Sequence, residues 1–339
     1  MTANPSTPIE ISDLNRRMTP RGRWPWLSRC VTDAEDFLAT YWLTEPHFDE
    51  GNESRFAETF TLDEFDRILA TGAFTNTVGI RPRIRMVKDG AQMPAAAFSK
   101  AQRHRGSVGP AIDCERVAHL ISIGGTLIVS SIDEGAPGLS ELCGGLENEL
   151  SHHVHANLYL TPPSARGFNA HYDPHDVIIL QISGKKRWRV FEPVQDAPAK
   201  SEVVTIGPGA QPVMDAVLTA GDTLYIPRGF VHVANTANDA SLHITVGITH
   251  ASLNDLLTSV LRNQELRQNL DKPLPVGFSR NLLALTEALA DGHHALTQTL
   301  SKSDRARDLA EEFTRLWSQK ERRSRAGFIV DTIEKLRES

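Results

Sequence analysis

From residue 126 onward the chain falls into short apolar runs, at 126–132, 154–160, 177–182, 187–191, 223–226, 231–235 and 241–248, closed off by Gly, Pro and Asp. Runs this short, rich in Val, Ile, Thr and aromatic residues and bounded by turn residues, read as strands. Close turn signals between short strands indicate a sandwich or barrel rather than a βαβ sheet. That one pattern sets the fold class, which is mainly β with flanking helices.

The flanks differ from this region. Thr32-Asp33-Ala34-Glu35 reads as a capping box opening a helix with Phe37, Leu38, Tyr41 and Trp42 at helical spacing. Thr61-Leu62-Asp63-Glu64 opens a second helix presenting Phe65, Ile68 and Leu69. Between about 88 and 110 a Gly, Ala and Lys-rich segment reads as a loop, the first candidate for substrate contact or disorder. Strand periodicity fades after His250. Ser252 then caps a helix with Leu253, Leu256, Leu257, Val260 and Leu261 on one stripe, and further helices are expected around 282–290 and 304–320. The last of these carries Leu309, Phe313, Leu316 and Trp317 on an apolar face, and Lys320, Arg322 and Arg323 at the end that favours cations. The expected layout is an irregular lead-in at 1–30, a β domain with N-terminal helices at 31–250, and a helical domain at 251–339.

Composition narrows the function classes. A formal charge of −6 gives no bulk attraction to nucleic acid or an anionic membrane, so no direct nucleic-acid binding is expected. Cys30, Cys114 and Cys143 lie far apart in no CxxC pattern, which fits neither a disulfide framework nor a zinc site and suits a reducing cytosol. The first 23 residues lack the apolar stretch of a secretory signal, and no run approaches the ~20 apolar residues of a membrane span. The expected location is cytoplasmic.

The chemistry sits in a few residues. His171 and Asp173 are two apart at the start of an apolar run, so in a strand both project from one face. His232 follows about sixty residues later in Ile226-Pro227-Arg228-Gly229-Phe230-Val231-His232, where a strand and a tight turn deliver it. Two imidazoles and one carboxylate suit Fe(II) and leave coordination positions for a bidentate anionic co-substrate. Farther on, Lys186, Trp188 and Val190 share one face of their run and Lys185, Arg187 and Arg189 the other. The apolar pair marks the inner face, so Lys186 points inward, where a buried ammonium needs a counter-anion. A dicarboxylate such as 2-oxoglutarate would supply it; a lysine reaching the rim or pairing with an internal carboxylate is the structural alternative.

Together these motifs carry a family resemblance. His171-Tyr172-Asp173, the lysine fifteen positions after the first ligand, NLYLTPPSARGF before the motif and GDTLYIPRGFVHVANTANDASLHITVG after it resemble the JmjC-type cupin oxygenases, nearest to their ribosomal-oxygenase-like branch. The likeness is strong over about 115–250. It implies a double-stranded β-helix that uses Fe(II), O2 and 2-oxoglutarate to hydroxylate an unactivated C–H bond. It further implies His171, Asp173 and His232 as iron ligands, Lys186 on the C5 carboxylate of 2-oxoglutarate, and Asn157, Tyr159 and Thr245 lining the co-substrate pocket. The branch usually adds dimerisation helices and a winged helix. The last ~90 residues here have room for the helices but not for a full winged helix.

The implied substrate is an amino-acid side chain in a protein or peptide, a ribosomal protein among the candidates. Hydroxylation of a free amino acid or peptide natural product, and a catalytically silent metal-binding cupin scaffold, remain as alternatives. A homodimer through the C-terminal helices is left open. Other histidines read as bland: His152, His153 and His155 as surface or strand-edge residues, His175 with Asp176 as neighbours of the site or its mouth. His243 reads as a hydrogen-bonded core residue, and His293-His294 as part of an inter-helix turn.

Overall fold

The apolar runs pair as antiparallel strands, and their register decides which face each side chain takes. The computed structural model describes residues 24–71, 83–104, 107–165 and 167–320. Described residues up to Thr249 form one compact unit, and those from His250 onward form a second.

In the first unit, with strands numbered in chain order, the larger sheet runs β1 (His47–Asp49), β13 (Thr223–Ile226), β9 (Asp176–Gly184), β15 (Ser241–Thr249), β7 (His153–Thr161), β6 (Thr126–Val129), β2 (Ile84–Lys88) and β3 (Ala91–Gln92). The smaller sheet runs β11 (Glu202–Val203), β8 (His171–Tyr172), β14 (Phe230–Asn235), β10 (Lys186–Pro193) and β12 (Met214–Leu218). This is the jelly-roll arrangement expected of a double-stranded β-helix.

Residues directly opposite each other in a pair share a face. On β7 and β15, Asn157 lies opposite Thr245, Tyr159 opposite His243 and Thr161 opposite Ser241, and across β9 His243 meets Gln181. That row forms the inner face. The alternating residues Leu158, Ile244, Leu180, Val246 and Ile178 form the outer face, buried against Leu139, Leu142 and Leu146 of the helix Pro137–Leu150 and against Phe37 and Trp42. The helix follows from its sequence: Pro137 occupies its first turn, and Leu139, Leu142, Cys143 and Leu146 repeat at helical spacing along one buried stripe.

The structure departs from the sequence reading in places. The described part of the 88–110 segment is not all loop. It contains β3, and β4 (Ser99–His104) pairs antiparallel with β5 (Ser107–Ile112), so their backbone groups satisfy one another. Asp33 rather than Thr32 caps the first helix, accepting from Asp36 N at 3.0 Å, and that helix widens into a π-helical turn over Phe37–Tyr41. At the second box Thr61 Oγ1 does accept from Glu64 N, at 3.1 Å. The strand β12 and the helices Cys114–Ser122 and Pro137–Leu150 had no counterpart in the sequence reading.

The second unit opens with a full capping box between Ser252 and Asp255 at the head of the helix Leu253–Arg262. A later helix runs unbroken over Leu282–Leu300, so His293 and His294 lie inside it and not in a turn. Its core is small, built on Val260, Leu266 and Leu309, while Leu253, Leu282, Leu283 and Leu289 stay exposed. The basic cluster past Lys320 falls outside the described residues. No described helix is long and apolar enough to cross a membrane.

Candidate metal and co-substrate site

The site is built where the two short central strands of the smaller sheet meet. The pairing of β8 with β14 sets His232 directly opposite His171. Asp173 follows β8, and its carbonyl accepts from Gly229 N at 3.0 Å, which ties the two ligand-bearing segments together. One ligand atom from each of His171, Asp173 and His232 lies within 4.8 Å of the others. The His232 Nε2 is 3.7 Å from Asp173 Oδ2, and the two imidazole centroids are 4.5 Å apart.

Backbone carbonyls orient both rings. The Nδ1 of His171 is 2.8 Å from Asn169 O, and the Nδ1 of His232 is 3.0 Å from Phe230 O. A carbonyl can only accept, so each Nδ1 carries the proton and each Nε2 presents its lone pair to the shared point. Burial, with His171 beside it, pushes His232 down to about 4, so it is neutral at physiological pH. Burial acts to raise the Asp173 carboxyl, yet the surrounding histidines and the Ser201 hydroxyl, donating to Oδ1 at 2.6 Å, hold it below the usual carboxylate value.

The turn before His232 is fixed from two sides. Gly229 has φ +84°, and a Cβ there would stand 2.1 Å from Gln195 O, so only glycine fits. Asp176 is fully buried: one carboxylate oxygen accepts from Arg228 N at 2.9 Å and the other from the Tyr225 hydroxyl, which itself accepts from Leu43 N at 3.0 Å. Asp176 therefore does not shape a substrate mouth; it joins the ligand turn to the N-terminal segment.

His171, Asp173 and His232, the candidate ligands, line a cavity together with Tyr159, Lys186, Trp188, His243, Thr245, Gly167 and Phe168. Lys186 is 5% exposed, and the alternation on β10 is as expected, with Trp188 and Val190 also buried and Lys185 and Arg187 exposed. Its Nζ donates to Thr161 Oγ1 at 3.0 Å, and among the described residues no carboxylate pairs with it. Burial pushes this lysine down to about 7. Among the described residues, the Trp188 Nε1, Thr126 Oγ1 and His243 Nδ1, all from residues lining this cavity, are buried without a hydrogen-bond partner.

Other expectations divide. Tyr159 and Thr245 line the cavity. Asn157 shares their face but is engaged elsewhere, its Oδ1 accepting from Ser131 N at 3.1 Å. His153 pairs with Glu147 through Nδ1 at 2.9 Å, and the His155 ring meets that of His175 at a tilt of 48°, centroids 5.4 Å apart. Among the described residues no other trio of potential metal-ligating side chains converges in this way. His243 was expected to be hydrogen-bonded, and at Nδ1 it is not. Ser201, Thr161 and Trp188 were missed. Trp188 was legible on the inner face as an indole needing a partner, whereas Ser201 lies on a connection whose path only the fold reveals.

Two histidines and an aspartate gathered by facing strands of a jelly roll are the donor set of non-haem Fe(II) sites, here beside a buried lysine. Residues 141–256 match the JmjC domain family. A bifunctional lysine-specific demethylase and histidyl-hydroxylase NO66 from Drosophila persimilis is 39% identical over 155 residues, 42% of this chain and 22% of that protein. Ribosomal oxygenase 1 from Gallus gallus is 31% identical over 245 residues, 70% of this chain and 38% of that protein. The chain thus spans well under half the length of these relatives. Among solved structures, the ribosomal oxygenase YcfD from Escherichia coli, in complex with cobalt and 2-oxoglutarate, aligns over 84% of this chain and 71% of its own with a TM-score of 0.53; at 18% identity that likeness establishes the fold. Residues 141–256 thus resemble a JmjC domain, and the wider likeness is to the ribosomal-oxygenase-like branch of these cupins.

Proposed function

We propose that this protein is an Fe(II)- and 2-oxoglutarate-dependent oxygenase that hydroxylates an amino-acid side chain of a protein or peptide. One observation carries the reading: three ligand atoms converge beside a buried lysine with no carboxylate partner, in a single cavity. The donor set fits the ion, since two neutral imidazoles and one carboxylate suit Fe(II). His171, Asp173 and His232 would hold it, and Lys186 would neutralise the far carboxylate of 2-oxoglutarate, with Tyr159 and Thr245 flanking it. Asn157 would act one step back, through Ser131. When bound, iron with O2 and 2-oxoglutarate supplies the oxidising power to hydroxylate an unactivated C–H bond, releasing succinate and CO2. The chain contributes orientation, a buried inner wall and, at Lys186, an ammonium whose charge fades as pH rises through about 7.

The relatives act, by their names, as a histidyl-hydroxylase and as a ribosomal oxygenase, so ribosomal proteins are the first substrates to test. The exposed Leu282, Leu283 and Leu289 support a homodimer through the C-terminal helices, which sedimentation of the wild type and of Leu289→Glu would check. The three free cysteines support a cytoplasmic location. The deciding assay supplies Fe(II), 2-oxoglutarate, O2 and ribosomal-protein peptides. Succinate release coupled to a +16 Da shift in a peptide is expected, whereas succinate no higher than that from His171→Ala, with no mass shift in any peptide or lysate fraction, ends the proposal.

A further inference from the structure

His243 stands on the inner-face row with Tyr159 and Gln181 and is 2% exposed. Its ring lies flat on Tyr159, with centroids 4.9 Å apart and planes 4° apart, and it meets Trp188 edge-on at 5.4 Å and 89°. Wedged against two aromatic rings, the imidazole has little freedom to turn towards another group. Its Nδ1 is buried with no partner, although a buried polar atom normally has one.

The surroundings indicate what the partner is. Trp188 Nε1 can only donate, and it too is unpaired on the same wall. Lys186 brings a positive charge and three donors against a single protein acceptor, Thr161 Oγ1. A wall with this surplus of donors, whose one neighbouring carboxylate among the described cavity-lining residues, Asp173, belongs to the candidate metal trio, is complementary to an anion with several acceptor oxygens. Burial first, and the nearby Lys186 second, keep His243 from protonating. It therefore offers a neutral N–H donor next to one cation, so the wall matches a single negative charge.

We propose that His243 binds the distal carboxylate of the dicarboxylate co-substrate, its Nδ1–H donating to one oxygen while the Lys186 ammonium neutralises the group. This rests on the function proposed above, and it adds a residue that the sequence reading assigned to the core. The role is selectivity: His243 and Lys186 together distinguish a 2-oxo acid that ends in a carboxylate from one that ends in a methyl group.

The test uses full-length protein loaded with Co(II), with calorimetric dissociation constants for 2-oxoglutarate and for 2-oxopentanoate, which has the same carbon chain but no distal carboxylate. His243→Phe is expected to weaken 2-oxoglutarate binding roughly tenfold to hundredfold, the range for a hydrogen bond to a charged group. It should leave 2-oxopentanoate and Co(II) binding unchanged. His243→Asn, which keeps a donor near Nδ1, should recover part of the loss. Equal weakening of both ligands would mean that His243 only supports the wall, and no weakening of either would mean that it touches neither; each result overturns the inference. Wild-type protein that binds Co(II) but not 2-oxoglutarate instead removes the function proposed above, and this inference with it.

Discussion

The two faces of the larger sheet use the same strands for opposite purposes. On the outer face, Leu158, Ile178, Leu180, Ile244 and Val246 are fully buried among other apolar side chains. On the inner face their immediate chain neighbours are Tyr159, Ile179, Gln181, His243 and Thr245, and several polar atoms there end without a partner. One residue's shift along β7 or β15 exchanges a side chain that stabilises the domain for one that faces the cavity. A stable outer layer is what allows the inner one to keep unpaired donors and a buried ammonium.

That contrast can be broken from either side. The largest effect should come from His171→Ala: turnover falls below detection while the thermal unfolding temperature of the metal-free protein barely moves, and a collapse of the fold would erase the division between the faces. On the other side, Leu158→Ala removes a fully buried side chain and should cost about 3 kcal/mol in denaturant unfolding. In whatever fraction remains folded, affinity for the co-substrate should be retained. A pH series sharpens the inner-face account. Lys186 is held at about 7 in the free protein, and its charged form is the one that meets a carboxylate. Raising the pH through 7 neutralises it, so affinity for 2-oxoglutarate should fall by roughly fiftyfold between pH 7 and 9. Affinity for 2-oxopentanoate should stay flat over the same range, and a parallel decline would point to another group. The smallest effect belongs to Ser201→Ala, which frees Asp173 Oδ1; Co(II) affinity should drop about tenfold. An unchanged affinity would make that hydrogen bond incidental.

Much of the site was readable because period-two alternation is a local property. It aligned His171 with Asp173 and turned Lys186 inward beside Trp188 before any strand partner was known. What stayed hidden depends on register between distant segments. The sequence does not reveal that His171 and His232 are cross-strand partners, that Asp176 reaches both Tyr225 and Arg228, or that Ser201 arrives over Asp173. The pairing of β4 with β5 was missed for a related reason, since Gly, Ala and Lys signal a loop until the two strands pair with each other. The helix Pro137–Leu150 is different, because the spacing of Leu139, Leu142 and Leu146 is itself a local signal, legible in the sequence without any strand partner.

The pairing of His171 with His232 also orders events during synthesis. The first two ligands leave the ribosome about sixty residues ahead of the third, and β9, β10, β12 and β13 are all made in between. No contiguous fragment that stops short of β14 contains the full set. If these three residues hold the metal, a nascent chain could not close on the ion until most of the barrel had emerged, and metal capture would be a late step in maturation and not a nucleus for folding.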